Sequence, residues 1–257
     1  MDRLSKLAWN GFCQKQIVFE ENDFKQVELD EITVRSFLHT SLVDTLGGIA
    51  LAIMDRDKTI YFSRLIWQEF FVAVYLMLVD TVDNFKQVHQ RLFDDQWEVV
   101  AQCLYGLCNA TTIKLIKRLT NIPFEARLWK EKKELLSDAA ASYLLKQRHG
   151  EANKNEQVEY DSIRTICSWI HEANDLEINK KLIPLISDHI CFGTSIVFPS
   201  DVSNLFFVQQ SSSKPWTLEV RNCKFRGNAM KRFCLEAFSS KTKVGQHFYW
   251  NAQYFEN

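Results

Sequence analysis

Residues 61–76 read YFSRLIWQEFFVAVYL, and this stretch decides how the rest of the chain is interpreted. Apolar side chains continue to Val79, and Gln68 and Glu69 are the only amide and charged interruptions after Arg64. The apolar run is about 15 residues long, which is shorter than the roughly 18 needed to span a bilayer. The stretch therefore predicts a buried helix over residues 64–79.

Shorter elements precede this helix. Residues 3–13 place apolar side chains on one face and predict an amphipathic helix, whereas residues 17–24 predict a short extended connection with a turn. Asp30 is a candidate N-cap of a second helix that runs through Leu38. Two apolar runs, 49–54 and 59–62, flank a polar tetrad and predict a β-hairpin. Helix, helix, hairpin, helix is the order of a winged-helix domain.

The remaining chain is predicted to be mainly helical. Glycine (8) and proline (4) are scarce, as expected where helices dominate. The predicted helices cover 84–92, 96–107, 111–119, 127–148, 157–173 and 176–190. Ser200 or Asp201 is expected to cap a short helix that contains Val202, Leu205 and Phe206.

Residues 218–225 read LEVRNCKF and fit L-x-L-x-x-C-x-L, the strand-and-turn signature of a leucine-rich repeat. Leu218, Val220, Cys223 and Phe225 are expected to point into the core, and a helix at 227–238 would complete one repeat. Residues 248–255 are rich in aromatics but match no second repeat. The strand through Leu218 is therefore predicted to be an open edge unless this tail covers it.

Composition narrows the class of protein. The net charge is -1, which gives no indication of a nucleic-acid partner. The aromatic content of 13% is too high for a disordered chain. Seven irregularly spaced cysteines predict reduced core residues of a cytoplasmic protein, and the first twenty residues lack the layout of a signal peptide.

The quoted stretch resembles the motif F-x-H-L-x-F-Q-E-F-x-A-A-x-Y, which ends the winged-helix domain of NACHT proteins, the NOD-like receptors. Residues 4–12 (LSKLAWNGF) and 17–23 (IVFEEND) resemble the opening of the same domain. The resemblance covers about residues 1–240 and is strongest before residue 80.

The resemblance implies a mainly α fold in three parts. A winged-helix domain with a small β-hairpin would occupy residues 1–80, a second helical domain 81–195, and one leucine-rich-repeat unit with its cap 196–257. The implied function is that of a regulatory and interaction region of a cytosolic innate immune receptor, which holds or releases a nucleotide-binding module. The implied partners are that module and further leucine-rich repeats, and the family also allows a homo-oligomer. Neither a nucleic-acid partner nor a membrane span is expected.

The chain departs from the family in two respects. The phosphate-binding pattern G-x-x-x-x-G-K-[ST] does not occur in the 257 residues, so no enzymatic activity and no cofactor are expected of this chain. ADP or ATP is expected only together with a NACHT core. Arg64 stands where the family has the histidine that touches the nucleotide phosphate. Arginine binds phosphate through a bidentate fork but cannot become neutral, and the alternative is an ordinary surface arginine.

Other candidate sites have competing interpretations. Gln68 and Glu69 either bridge neighbouring helices or contact the nucleotide-binding domain. Cys103 with Cys108, Cys167 with His171, and His189 with Cys191 have metal-like spacings, but without a C-x-x-C pair they are interpreted as structural residues rather than as a zinc site or a cysteine nucleophile. The predicted helix at 30–39 begins with acidic residues, which argues against DNA binding. The tryptophans within helices are interpreted as core anchors: Trp67, Trp97, Trp129 and Trp169.

Two functions from other classes remain alternatives. The chain would be part of a P-loop NTPase switch if the full gene encodes the P-loop. It would be a decoy or helical scaffold if the NTPase core has been lost. The transcript sequence upstream of Met1 distinguishes the two.

Overall fold

The computed structural model describes residues 2–29, 38–40, 60–62, 64–119, 122, 124–149, 156–193, 196–221, 223–239 and 250–251. The fold is mainly α, as the sequence predicts. The chain forms two compact units, Met1–Lys132 and Lys133–Asn257, and the boundary falls inside one long helix. The three-part division at residues 80 and 195 follows from family resemblance and stays a prediction.

Helices make up most of the first unit. The α-helices are α1 (Asp2–Gln14), α2 (Glu21–Gln26), α3 (Leu65–Val74), α4 (Val82–Val88), α5 (Glu98–Gly106), α6 (Ala110–Leu119) and the start of α7 (Ala126–His149). A π-helical turn, Tyr75–Val79, continues α3, and 3-10 turns occupy His89–Arg91 and Asp95–Trp97.

A small antiparallel sheet precedes α3. Its strands are β1 (Val18–Phe19), β2 (Leu38–Thr40) and β3 (Ile60–Phe62), in the order β1-β3-β2. Phe62 lies 5.7 Å from Phe19 and 5.9 Å from Phe71 between ring centroids, so aromatic packing joins the sheet to α3. The apolar face of α1 is buried through Leu4, Leu7 and Ala8.

The second unit begins with the remainder of α7 and continues with α8 (Glu156–Ala173), α9 (Leu176–Leu182) and a 3-10 turn at Ile183–Leu185. After them come β4 (His189–Gly193), β5 (Ile196–Val197) and α10 (Pro199–Gln210). A second series follows the same plan: β6 (Thr217–Arg221), β7 (Lys224–Phe225) and α11 (Ala229–Ser239). The last described strand is β8 (Trp250–Asn251).

The two strand–helix series stack in parallel register. His189 pairs with Thr217 and Ile196 with Lys224, so the separation along the chain is the same in both pairs of strands. On the other side of β6, Val220 pairs with Trp250 at a slightly larger separation. The buried apolar residues alternate along β4 and β6 and are Ile190, Phe192, Leu218 and Val220. Glu219, between the last two, is also buried.

An aromatic cluster holds the two series together. Phe192 and Phe206 lie 5.8 and 5.6 Å from Phe233 between ring centroids, and all three are 1% exposed. Tyr160 on α8 lies 4.9 Å from Phe192, which packs that helix against the first strand of the sheet. Burial of such rings is the main favourable contribution to stability here.

Several predicted helices are confirmed, and three assignments of secondary structure are wrong. The helices predicted from 84 to 173 are present with small shifts at their ends. Residues 21–26, assigned to an extended connection, form α2. Leu38, assigned to the second helix, lies in β2. The helix predicted at 176–190 gives way to a 3-10 turn at Ile183 and a strand at His189.

The last error has a simple cause. Isoleucines recur at helical spacing beyond the end of the helix, at Ile183, Ile186 and Ile190. The helical pattern in the sequence therefore extends further than the helix itself. As a result, the strand at His189–Gly193 was not predicted, whereas the short helix through Val202, Leu205 and Phe206 was predicted and is present as α10. Its N-cap is Phe198 rather than Ser200 or Asp201, and Asp201 accepts a hydrogen bond from the Phe198 backbone N–H at 2.8 Å. Only the series at 217–239 was predicted with both its strand and its helix. That later series has its predicted strand and helix, and β8 from the aromatic tail covers part of the edge of β6.

Two predicted features lie wholly or partly outside the described residues. The candidate N-cap at Asp30 and the predicted helix up to residue 37 lie outside the described residues. The first strand of the predicted hairpin, 49–54, also lies outside them. Its second strand is described as β3, which pairs with β1 and β2.

No helix among the described residues is both long enough and apolar enough to cross a membrane by itself. One sharply bent pair, Asp95–Gly106 with Ala110–Arg118, would meet those criteria of length and composition if taken together.

Candidate functional site

Arg64 lies at the start of α3. Its backbone is extended, with φ -148° and ψ 145°, and its carbonyl accepts a hydrogen bond from the backbone N–H of Trp67 at 3.0 Å. The residue is exposed and its side chain makes no capping bond to the helix. An exposed guanidinium at this position can reach an anionic group, but the described residues do not form a phosphate cradle around it.

Gln68 connects α3 to the segment that follows α1. It is only 2% exposed, and its Nε2 donates a hydrogen bond to the backbone oxygen of Gln16 at 3.0 Å. Its Oε1 has no partner among the described residues. A β-carbon added to Gly11 would lie 3.0 Å from Nε2 and 2.6 Å from the ring of Phe19. Gln68 is therefore a structural bridge, the first of the two interpretations of this position.

Glu69 has different surroundings from its neighbour. It is half-buried, and within the described part of the chain it has neither a hydrogen-bond nor an ion-pair partner. Burial raises the pKa of its carboxyl group above the usual value because the charged form loses water. Bridging to another helix is not observed for this residue.

The first turn of α3 is more exposed than the sequence predicts. Leu65 and Trp67, expected in the core, are 52% and 42% exposed, and Ile66 is 54% exposed. Phe70 and Tyr75 are only partly buried, whereas Phe71 is fully buried. Of the other tryptophans, Trp97 and Trp169 are buried, and Trp129 is partly exposed, with its Nε1 donating to the Leu107 carbonyl at 3.0 Å.

A buried lysine secures the end of the α3 helix. Lys132 Nζ on α7 donates to the carbonyl oxygens of Leu76 at 2.7 Å and Asp80 at 2.6 Å, with a longer contact of 3.4 Å to Met77. The residue is 1% exposed, and burial lowers the pKa of its amine to about 8, although the nearby Asp80 carboxylate acts in the opposite direction. The last carbonyl groups of a helix have no partner within the helix, and Lys132 supplies donors to those of Leu76 and Met77.

The sequence interpretation missed Lys132, although a signal was present. Lys132, Leu136 and Ala140 recur at intervals of four and are all buried, so the lysine occupies a position on the apolar face of α7. A cavity of about 160 Å³ adjoins it, walled by Asp80, Glu125 and Trp129 among others. The Asp80 carboxyl group is bonded to Asn84 Nδ2 at 3.0 Å through Oδ1, and its Oδ2 has no partner among the described residues.

The metal-like spacings do not form a site in the described residues, where no group of three or more His, Cys, Asp or Glu side chains could hold a metal ion. All seven cysteines are free thiols. His171 Nδ1 hydrogen-bonds to Asn204 Oδ1 at 2.6 Å, and His189 Nε2 lies 3.4 Å from Glu219 Oε2. Burial raises the pKa of the Cys167 thiol well above its usual value, which disfavours the thiolate that a nucleophile requires.

A family model of the NOD2 winged helix domain matches residues 1–47. The matched segment contains α1, β1, α2 and β2, and both of its strands pair with β3. Comparison with curated proteins gives no match. The match supports a relation between this chain and the NOD-like receptors, and it ends before α3 and the repeated strand–helix series.

Proposed function

We propose that this chain is the regulatory and interaction region of a cytosolic NOD-like innate immune receptor, which holds or releases a nucleotide-binding module. The observation that carries the proposal is the match of residues 1–47 to the NOD2 winged helix domain, followed at 61–76 by the stretch that resembles the end of the same domain. The two segments pack together, because Gln68 of α3 donates to the Gln16 carbonyl and the Phe62 ring lies 5.7 Å from the Phe19 ring.

The C-terminal part supports the same proposal. The two strand–helix series are offset by the same interval at each strand pair, and in both the buried apolar residues alternate along the strand. The interval from His189 to Thr217 falls within the period of roughly 20 to 29 that is typical of leucine-rich repeats. In this proposal, residues 189–210 and 217–239 are two leucine-rich repeats, and β8 begins a third. Repeats of this kind offer extended surfaces for protein partners.

Arg64 is the proposed point of contact with a nucleotide phosphate. It is an exposed cation at the start of α3, and its planar guanidinium suits phosphate oxygens. The chain itself has no P-loop, so the proposal places the nucleotide on another module and gives this chain a sensing role without catalysis.

Sequencing of the transcript upstream of Met1 tests the proposal directly. A P-loop module in frame with this chain is the expected result, and a protein containing both should retain ADP. Replacing Arg64 with Ala should weaken that retention, whereas Arg118→Ala, a control at another exposed arginine, should not. A full transcript without the P-loop would favour the decoy or scaffold alternative.

The 257-residue chain alone provides a second test. It should not bind Mg-ATP in isothermal titration, because no backbone cradle for the phosphates occurs in its sequence. A dissociation constant in the low micromolar range would contradict the proposed division of roles.

A further inference from the structure

The first turn of α3 is an apolar surface that projects from the first unit. Leu65, Ile66 and Trp67 are consecutive, so their side chains point about 100° apart around the helix, yet they are 52%, 54% and 42% exposed. A helix that merely lay on a core would bury at least one of the three. We refer to these residues together with Glu69 as the α3 tip.

Exposed apolar residues are common when they are scattered, but adjacent ones mark interaction surfaces. The tip has the composition of an interface centre: two aliphatic side chains and a tryptophan whose ring lies 6.0 Å from that of Phe70. Phe70 is itself only partly buried, so the apolar surface extends one turn along the helix.

Glu69 makes this surface favour a positively charged partner. It follows Ile66 by three positions and Leu65 by four, so all three share one side of α3. Its half-buried carboxylate has lost water without gaining a partner among the described residues. A cation supplied from outside would compensate that loss and form a charge-assisted hydrogen bond.

Arg64 does not reverse this preference. Its side chain is exposed and keeps its water, so an ion pair with an exposed carboxylate of a docked segment would gain little. The charged group of the tip that has lost water without gaining a partner is the negative carboxylate of Glu69. A partner for the tip should therefore carry a positive charge.

We propose that the α3 tip is a docking surface for a protein segment that presents one arginine or lysine flanked by aliphatic side chains. The aliphatic side chains cover Leu65 and Ile66, and the cation pairs with Glu69. This proposal does not rest on the proposed receptor function, since it requires neither a nucleotide nor a second module.

The probe for the experiment is a library of short displayed peptides, selected against the full chain with an excess of the Glu69→Gln chain as a soluble competitor. The substitution keeps the shape of the side chain and removes its charge. The selected peptides should carry a basic residue between aliphatic ones. Peptides without that enrichment, or a selection that yields none dependent on Glu69, would overturn the proposal.

Affinities of a selected peptide then locate the contact. Fluorescence anisotropy should show binding about tenfold weaker or worse for Glu69→Gln, as loss of a hydrogen bond to a charged group predicts. Ile66→Ser should weaken it similarly. Matched controls are Glu98→Gln at another exposed glutamate and Leu176→Ser at a leucine that is 75% exposed, and neither should change the affinity.

Light scattering of the unliganded chain tests whether a second copy of the chain, rather than a separate partner, occupies the α3 tip. We expect no self-association through the tip. Self-association through it would be lost in Ile66→Ser and kept in Leu176→Ser. Such a result would make the tip a self-contact and would overturn the proposal of a separate basic partner. Absence of a P-loop upstream, by contrast, would remove the receptor proposal and leave this one standing.

Discussion

At the scale of single residues, substitutions at two glycines are expected to change the stability of the fold in opposite directions. A β-carbon on Gly11 would lie 2.6 Å from the Phe19 ring, which is 1% exposed and cannot move aside, whereas one on Gly106 would meet nothing within 4 Å. Gly11→Ala should lower the free energy of unfolding by about 1–3 kcal/mol. Gly106→Ala should raise it by up to about 1 kcal/mol, because alanine favours the helix.

Urea denaturation of the two variants beside the wild type measures both changes. Equal midpoints for Gly11→Ala and the wild type would show that α1 and β1 are packed more loosely than described. A loss of stability in Gly106→Ala would show that the end of α5 does not keep its helical conformation.

Two adjacent lysines should affect stability with opposite dependence on pH. The pKa of Lys132 is lowered from 10.5 to about 8 by burial, so above pH 8 the folded protein releases a proton that the unfolded chain keeps until about pH 10.5. The unfolded state then binds more protons, and stability rises with pH across that window. The gain is limited to about 3 kcal/mol by the size of the shift.

Lys133 behaves in the reverse sense. Burial lowers its pKa, but hydrogen bonds of Nζ to Glu177 at 2.8 Å and Asp175 at 3.0 Å outweigh burial, and the net pKa is raised above 10.5. Its stabilisation is therefore complete below pH 10.5 and is lost as pH rises through the folded pKa.

Urea titrations of the wild type, Lys132→Met and Lys133→Met between pH 7 and pH 10 separate the two effects. The difference in the free energy of unfolding between the wild type and Lys132→Met should increase as the pH rises above 8. The difference between the wild type and Lys133→Met should stay constant over this range. A constant difference for Lys132→Met would show that its amine is not desolvated.

At the scale of elements, α3 divides into an exposed first turn and a buried continuation. Phe71 is fully buried between Phe62 and Phe70, so Phe71→Ala should cost about 3–5 kcal/mol of stability. Leu65→Ala should change stability by less than about 0.5 kcal/mol, because its side chain is half in solvent. Thermal or urea unfolding compares the two, and equal losses would contradict the exposure of the first turn.

The same helix shows what sequence can and cannot predict. Its position and length followed from the run of apolar residues, because burial of the run requires a helix of that length. The exposure of Leu65 and Trp67 did not follow, since composition identifies an apolar side chain but not the neighbour that would cover it. Lys132 was missed for the converse reason: a lysine within a helix is normally solvated, and its burial depends on carbonyls far earlier in the chain.

The predicted end of a helix was wrong where apolar residues fit both a helical pattern and a strand. Ile183, Ile186 and Ile190 satisfy a helical pattern, yet Ile190 belongs to β4, because its backbone pairs with Leu218. That partner lies in the next strand–helix series, and pairing at such a separation leaves no trace in a local pattern. Arg64 lies at the start of α3, as the sequence predicts, and its contact with a phosphate stays a prediction.

At the scale of the whole molecule, the constant interval between the two strand–helix series has a consequence for how the chain can change in length. Parallel pairing fixes which side of the sheet each side chain faces, and a shift of one residue reverses the sides. An in-frame duplication of the codons for residues 189–216 would add one strand and one helix while every side chain kept its side. A duplication one codon shorter would have to absorb the missing residue in the loop at 211–216 or turn Leu218 and Val220 towards solvent. The second unit can therefore lengthen or shorten by one strand–helix series with its core intact, whereas intermediate changes of length would expose apolar side chains.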